Sequence, residues 1–201
     1  NILMAYFLLI SHSETIKKDF YNDEGYLFGD AATNKWGDKW RMPTIPDFYE
    51  LITYCEAEVT SVNGVEGIYF TGKNGNRIFM PYSGIMDGDS NTQNKINGFY
   101  WTTSRTNNDK VWAYEISDTE CVNSSIDPYK GLSIRPIIYS ESANICPNNN
   151  HPHLIDLGLP SGKKWSCCNV GAEHPHGYGN YYAWGDIDAK DYFSSNYTNK
   201  W

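Results

Sequence analysis

The run Asp87-Gly88-Asp89-Ser90-Asn91 places oxygen-bearing side chains at alternate positions, the spacing with which calcium loops present their ligands. Asp87, Asp89 and Asn91 would be the ligands, and calcium is the one cofactor the sequence suggests. The run departs from an EF-hand, because Thr92 stands at the glycine position and Gly98 at that of the bidentate acid. A solvated acidic turn is the alternative reading. His151 with His153, and His174 with His176, form two H-P-H triplets. Each proline stiffens the backbone between its histidines, and no carboxylates follow to orient the rings, so these read as surface loops. The five cysteines, Cys55, Cys121, Cys146, Cys167 and Cys168, include no C-x-x-C pair, which argues against a zinc cage. Disulfides and buried thiols both remain open, and the odd count leaves at least one thiol unpaired within a monomer. On a strand, Cys167 and Cys168 would point to opposite faces, so one of them is expected in the core. No G-x-S-x-G, H-E-x-x-H, phosphate-binding loop or dinucleotide fingerprint is present, and the chain reads as a non-enzyme.

Binding residues are sought among the aromatics, since 16 Tyr and 7 Trp are many for this length. Tyr and Trp join apolar area to a polar handle and are favoured at recognition surfaces. Tyr100, Trp101 and Arg105 flank a long loop, and Trp112 and Tyr114 follow on the next strand. Exposed, these five would stack on sugars or anchor a protein partner; enclosed, the rings would fill the core. Arg41 and Arg135 each stand close to a proline and read as structural, paired with buried carbonyls or acids.

The elements that position these residues are short. Thr44 can cap a helix running from Ile45 towards Cys55, with Asp47 completing an acidic capping box and Phe48, Leu51, Ile52 and Cys55 on one face. A shorter helix is expected from Asp30 to Trp36, stopped by Gly37. After Gly64 the pattern alternates. Ile68–Thr71 and Arg77–Met80 form a hairpin about the turn 72–76, and strands follow at Phe99–Thr103, Val111–Ser117, Leu132–Ile138 and Trp165–Val170. The polar stretches 83–98, 104–110 and 118–131 read as long loops, of the kind that are either functional or mobile.

Composition excludes some partners. A net charge of −8 argues against binding a phosphate backbone, so no nucleic acid is expected. The apolar start Ile2–Ile10 is nine residues, and a membrane-spanning helix needs about 20, so no span is expected. That segment is open to reading as a signal remnant, a buried element or a segment donated to a neighbour. At 201 residues, with 40% hydrophobic and 20% charged content, the chain can bury a real core.

Several motifs together carry a family likeness. They are Asp156-Leu157-Gly158-Leu159-Pro160-Ser161-Gly162 with Lys164-Trp165, Cys168-Asn169-Val170-Gly171-Ala172, Asp30-Ala31-Ala32, Trp36-Gly37 and Trp40-Arg41-Met42-Pro43-Thr44. Asn63-Gly64-Val65, Ile78-Phe79-Met80-Pro81, Gly98-Phe99-Tyr100-Trp101-Thr102-Thr103 and Ser133-Ile134-Arg135-Pro136 complete the set. Read as 151–201 followed by 30–138, the chain resembles the major paralogous domain of Fibrobacter and Bacteroidetes surface proteins. That family is a branch of the formylglycine-generating-enzyme and C-type-lectin-like superfamily. The resemblance implies an α+β, C-type-lectin-like fold of short antiparallel strands, one or two helices and long loops, either circularly permuted or cut across tandem repeats. The sugar-binding calcium motifs of true C-type lectins are absent.

The expected organisation is a lead segment 1–29, the C-terminal portion of a lectin-like domain at 30–140, a linker at 141–150 and an N-terminal portion at 151–201. The linker can reach roughly 30 Å. The resemblance implies a secreted or outer-membrane-associated, cell-surface location. The function expected is a non-catalytic, adhesion-type interaction module for a glycan or protein ligand. The alternative is a structural subunit that self-associates head to tail by strand or segment exchange. One proposition underlies both: the stretch near Trp165 must lie against the ribbon holding Arg135, within the chain or between chains.

Overall fold

Residues 30–139 and 154–196 are described by the computed structural model. The lead Ile2–Ile10, the linker 141–150, Cys146, His151 and His153 lie outside the described residues. Asp30 begins the order by capping helix α1 (Ala31–Trp36), its side chain accepting from Thr33 N, and Gly37 ends the helix at φ 97°, a backbone region that glycine enters without strain. The same carboxylate accepts from Met42 N at 2.9 Å, which ties α1 to strand β1 (Trp40–Arg41).

Helix α2 (Ile45–Tyr54) opens on the expected capping box: Thr44 Oγ1 accepts from Asp47 N, and the Asp47 carboxylate accepts from Thr44 N at 2.7 Å. Phe48 and Leu51 are fully buried, with Ile52 and Cys55 partly buried on the same side. Strands β2 (Glu56–Val62), β3 (Val65–Thr71) and β4 (Arg77–Pro81) then form an antiparallel sheet in that order. The sequence reading missed β2. It is an exposed edge strand carrying two glutamates, so it shows no apolar alternation. Asn63 and Gly64, at φ 51° and 80°, nevertheless form the two-residue turn that joins β2 to β3, a signal already visible as N-G.

Two of the expected long loops contain pairing. Strands β5 (Ile85–Asp87) and β6 (Ser90–Thr92) make a small hairpin within 83–98. Strand β9 (Cys121–Ile126), within 118–131, joins β7 (Gly98–Arg105) and β8 (Val111–Ile116) in a sheet ordered β7-β8-β9. The expected strand at Leu132–Ile138 is regular only at β10 (Ile137–Ile138), and that at Trp165–Val170 shortens to β12 (Lys164–Ser166), because Arg135 and the bend at 167–168 interrupt the ladder. The described residues are thus an α+β arrangement of small antiparallel sheets and two helices. No helix among them is long and apolar enough to cross a membrane.

The fourth sheet joins the two described segments. Its order is β1-β10-β12-β11, with β11 at Leu154–Ile155 and Ile137 opposite Trp165. Ser166 N donates to Pro136 O at 2.9 Å, and Val170 N to Ile134 O at 3.0 Å. Leu157, Leu159 and Trp165 enter the cluster around Phe48, Phe70 and Met80, and Trp165 lies 5.1 Å from the Phe48 ring. Val170, Tyr182 and Trp184 complete a second cluster with Met42, Phe99 and Trp101. The 154–196 segment therefore completes both cores within one chain. It also passes so close to the turn at Gly72 that a Cβ there would sit 2.0 Å from Leu157 O.

Polar contacts fasten the same segment. Arg135 is 0% exposed and spends its guanidinium on acceptors from three places: Nε on Asn169 Oδ1 (2.7 Å), Nη1 on Cys167 O (2.9 Å) and Ser166 O (3.3 Å), and Nη2 on Phe79 O (2.8 Å). Along α2, Glu50 accepts from Ser161 N and Oγ, and Asp47 holds both Arg41 (2.9 Å) and Lys163 (2.7 Å). Burial by itself would raise the Asp47 pKa, but the Arg41 charge, the Lys163 hydrogen bond and the Thr44 amide outweigh it and hold the carboxyl below its ordinary value.

Two outcomes follow. Replacing Arg135 with Leu takes its donors away from four buried acceptors, and the urea midpoint should fall by the equivalent of about 3 kcal/mol or more. Asp47→Asn should lower stability at pH 7 by about 2 kcal/mol. Because the folded pKa of Asp47 is depressed, its contribution is present above the ordinary carboxylate value of 3.8 and is lost as pH falls through the lower folded value, so the variant's deficit should close only in that acid range, as read by pH-dependent urea melts.

Candidate functional site

Three of the five aromatic and basic candidates are core residues. Tyr100 and Trp101 are 0% exposed and Tyr114 is 5% exposed, so no ligand can stack on them. Their polar ends are used inside: Tyr100 Oη donates to Pro81 O at 2.7 Å, Trp101 Nε1 to Tyr182 O at 2.7 Å, and Tyr114 Oη to Cys121 O at 3.2 Å, while the Tyr114 ring stacks on Phe48 at 4.6 Å. Burial pushes the Tyr100 hydroxyl up to about 12 and Tyr114 likewise to about 12. Alternation on a strand gives one buried face, but β7 is covered on both, which composition could not reveal. Arg105 is half-buried and lies over the Trp184 ring at 5.3 Å, closing the second core. Trp112, also half-buried, stands opposite Ser125 across the β8–β9 pair and so shares its face.

A groove lies where β9 ends. Ile85, Asp87, Thr92 and Gln93 from the β5–β6 hairpin, with Ser125, Ile126, Asp127 and Lys130 from the end of β9 and the turn after it, line an open space of about 240 Å³. The walls are held from behind. Met86 and Gly131 exchange both backbone hydrogen bonds at 2.9 and 3.0 Å, and Gly88 does the same with Phe193 of the distal segment. A side chain at Gly131 would collide with the Phe193 ring, so glycine permits the close docking of that segment.

Charge in the groove is balanced. Lys130 pairs with Asp87, and Lys110 lies 3.5 Å from Asp127. Burial pulls the Lys130 ammonium down, yet the Asp87 carboxylate and Tyr129 beside it more than offset this and hold its pKa above the ordinary lysine value. Carboxylates, hydroxyls and an amide thus ring an apolar floor of Ile85 and Ile126, with exposed Tyr192 against the Gly88 turn. Such an arrangement can accept and donate hydrogen bonds to a polar, uncharged ligand.

The hairpin spreads the three calcium candidates apart. Asp87 opposes Ser90 and Met86 opposes Asn91, so Asp87 and Asn91 lie on opposite faces of the ribbon. The Asn91 amide turns inward and donates to Ser83 O (3.1 Å) and Tyr181 Oη (2.7 Å), Asp87 is engaged by Lys130, and Asp89 accepts from Ser90 Oγ. The three do not converge. The rings of His174 and His176 stack at 5.4 Å and 7°, face to face, on a surface loop. Among the described residues no group of three or more His, Cys, Asp or Glu side chains could hold a metal ion.

Cys167 and Cys168 also depart from expectation. Both are buried, at 4% and 0% exposure, and their sulfurs lie 3.2 Å apart. The strand ends at Ser166, and the bend that follows turns both side chains the same way.

Of the groove lining, only Asp87 was singled out from sequence. Thr92, Gln93, Ser125, Asp127 and Lys130 sit in stretches whose length marked them as loops either functional or mobile, and no periodicity named the individual residues. No family model, no curated protein and no solved structure matches the chain. Since Asp89 is exposed and outside the groove lining, Asp89→Ala should change stability by no more than about 0.5 kcal/mol. It should also leave any response of the thermal midpoint to added calcium chloride as in the unaltered chain.

Proposed function

We propose that this chain is a non-catalytic interaction module of a cell surface or the extracellular space, with a C-type-lectin-like fold of the major-paralogous-domain kind. It binds a glycan or protein ligand in the groove between the β5–β6 hairpin and the end of β9. The observation that carries the reading is the groove itself: rigidly backed, charge-balanced, polar-rimmed and floored by Ile85 and Ile126. Hydrogen-bonding side chains arranged around apolar contact area suit a hydroxyl-rich ligand. The sequence motifs supply the family and the location. A head-to-tail polymer is the second reading, and the pairing of β12 with β10 of its own chain gives it less support.

The test is a screen of immobilised glycans with and without chelator, alongside Ser125→Trp. Ser125 is exposed on edge strand β9, so the larger side chain should block the groove and leave the thermal midpoint nearly unchanged. At least a tenfold loss of binding is expected for a glycan that the unaltered chain retains in chelator. Silence of the unaltered chain towards every glycan and surface-protein ligand would defeat the proposal, as would unchanged binding by the blocked variant.

A further inference from the structure

The polypeptide joins Cys167 to Cys168 directly, and the bend after β12 brings their sulfurs to 3.2 Å inside a small buried cluster with Ala172 and Ile155. Adjacent thiols on an extended strand would point apart, so their approach is a product of this bend. The surrounding backbone is committed. The Cys167 carbonyl accepts from Arg135 at 2.9 Å, and the Cys168 carbonyl accepts from Ser166 Oγ at 2.8 Å. We propose that Cys167 and Cys168 form an oxidative modification site, closed by peroxide into a disulfide between neighbouring residues.

The reaction balances in two steps. Peroxide converts one thiol to a sulfenic acid and releases water. The adjacent thiol then attacks that sulfur, forming the S–S bond and expelling a second water. Two thiols lose two electrons and two protons, and the peroxide O–O bond is the oxidant consumed. Peroxide is small enough to enter where larger disulfide reagents are excluded by burial. Neighbouring Cα atoms are about 3.8 Å apart, below the roughly 4.4–6.8 Å that disulfides normally span, so the closed ring is readily reduced again. The Cys167 carbonyl belongs to the peptide inside that ring. Closure reorients the peptide and weakens its hydrogen bond to Arg135, so oxidation loosens the attachment of the 154–196 segment.

The full chain tests this without any variant. After peroxide treatment, denaturation, alkylation and trypsin, the pair falls in peptide 165–190, which contains no other cysteine. That peptide should lose two hydrogens and take up no alkylating reagent, and a dithiol reductant should restore both labels. A Cys55→Ser, Cys121→Ser double variant should behave alike. The oxidised chain should also unfold at a lower urea concentration than the reduced one. Labelling of both thiols, their separate over-oxidation, or a link to the peptide holding Cys146 would overturn the proposal. An unshifted urea midpoint in the closed form would overturn the coupling to Arg135.

Discussion

A single buried cation organises this molecule. Arg135 reaches four acceptors on three segments, and no carboxylate is among its partners in the described residues. A guanidinium is planar and presents a fork of donors, so it can satisfy several carbonyl dipoles at fixed angles, as a lysine cannot. Stripping water from a charge costs several kcal/mol in practice, and the site is tolerable only while every acceptor stays in place. The segments carrying Phe79, Ser166–Cys167 and Asn169 are therefore mutually dependent. Displacing any one leaves the others facing an unsatisfied charge.

Around this centre the two cores divide the labour. One is floored by α2 and β3–β4 and capped by Trp165, the other is built on β7–β8 and closed by Tyr182 and Trp184. Neither is complete without residues beyond 154. The groove inherits its rigidity from the same source, since the β5–β6 hairpin is pinned on one side by Gly131 and on the other by Phe193. A binding surface made of short loops keeps its shape here because both of its walls are hydrogen-bonded to structure behind them.

Much of the fold was legible where local chemistry decides the outcome. Thr44 with Asp47, Asp30 with Gly37, and the turn 72–76 are short-range signals, and each produced the expected element. Arg135 and Arg41 were readable as structural because an arginine beside the W-R-M-P-T or S-I-R-P run has buried acceptors to serve. Strand β2 was not legible, since an exposed edge imposes no apolar period. The burial of Tyr100, Trp101 and Tyr114 was hidden for the opposite reason: an aromatic looks the same in sequence whether it fills a core or waits for a ligand, and only the closure of β7 on both faces and the packing of Phe48 against Tyr114 on β8 decide. The groove was half legible, as loop length without residue identity. Its members come from stretches more than thirty positions apart, and their meeting depends on long-range pairing that no window of sequence contains.

The attachment of 154–196 to 30–139 has a consequence for the covalent chain itself. Every contact described between the two, from the Ile137–Trp165 pairing to the Glu50–Ser161 and Asp47–Lys163 bonds, is non-covalent. A cut between 139 and 154 severs none of them. What it removes is the tether's effective concentration, a term that added peptide can replace. Among the described residues the two segments thus meet as complementing fragments, with the joint between them lying in the fold's interior.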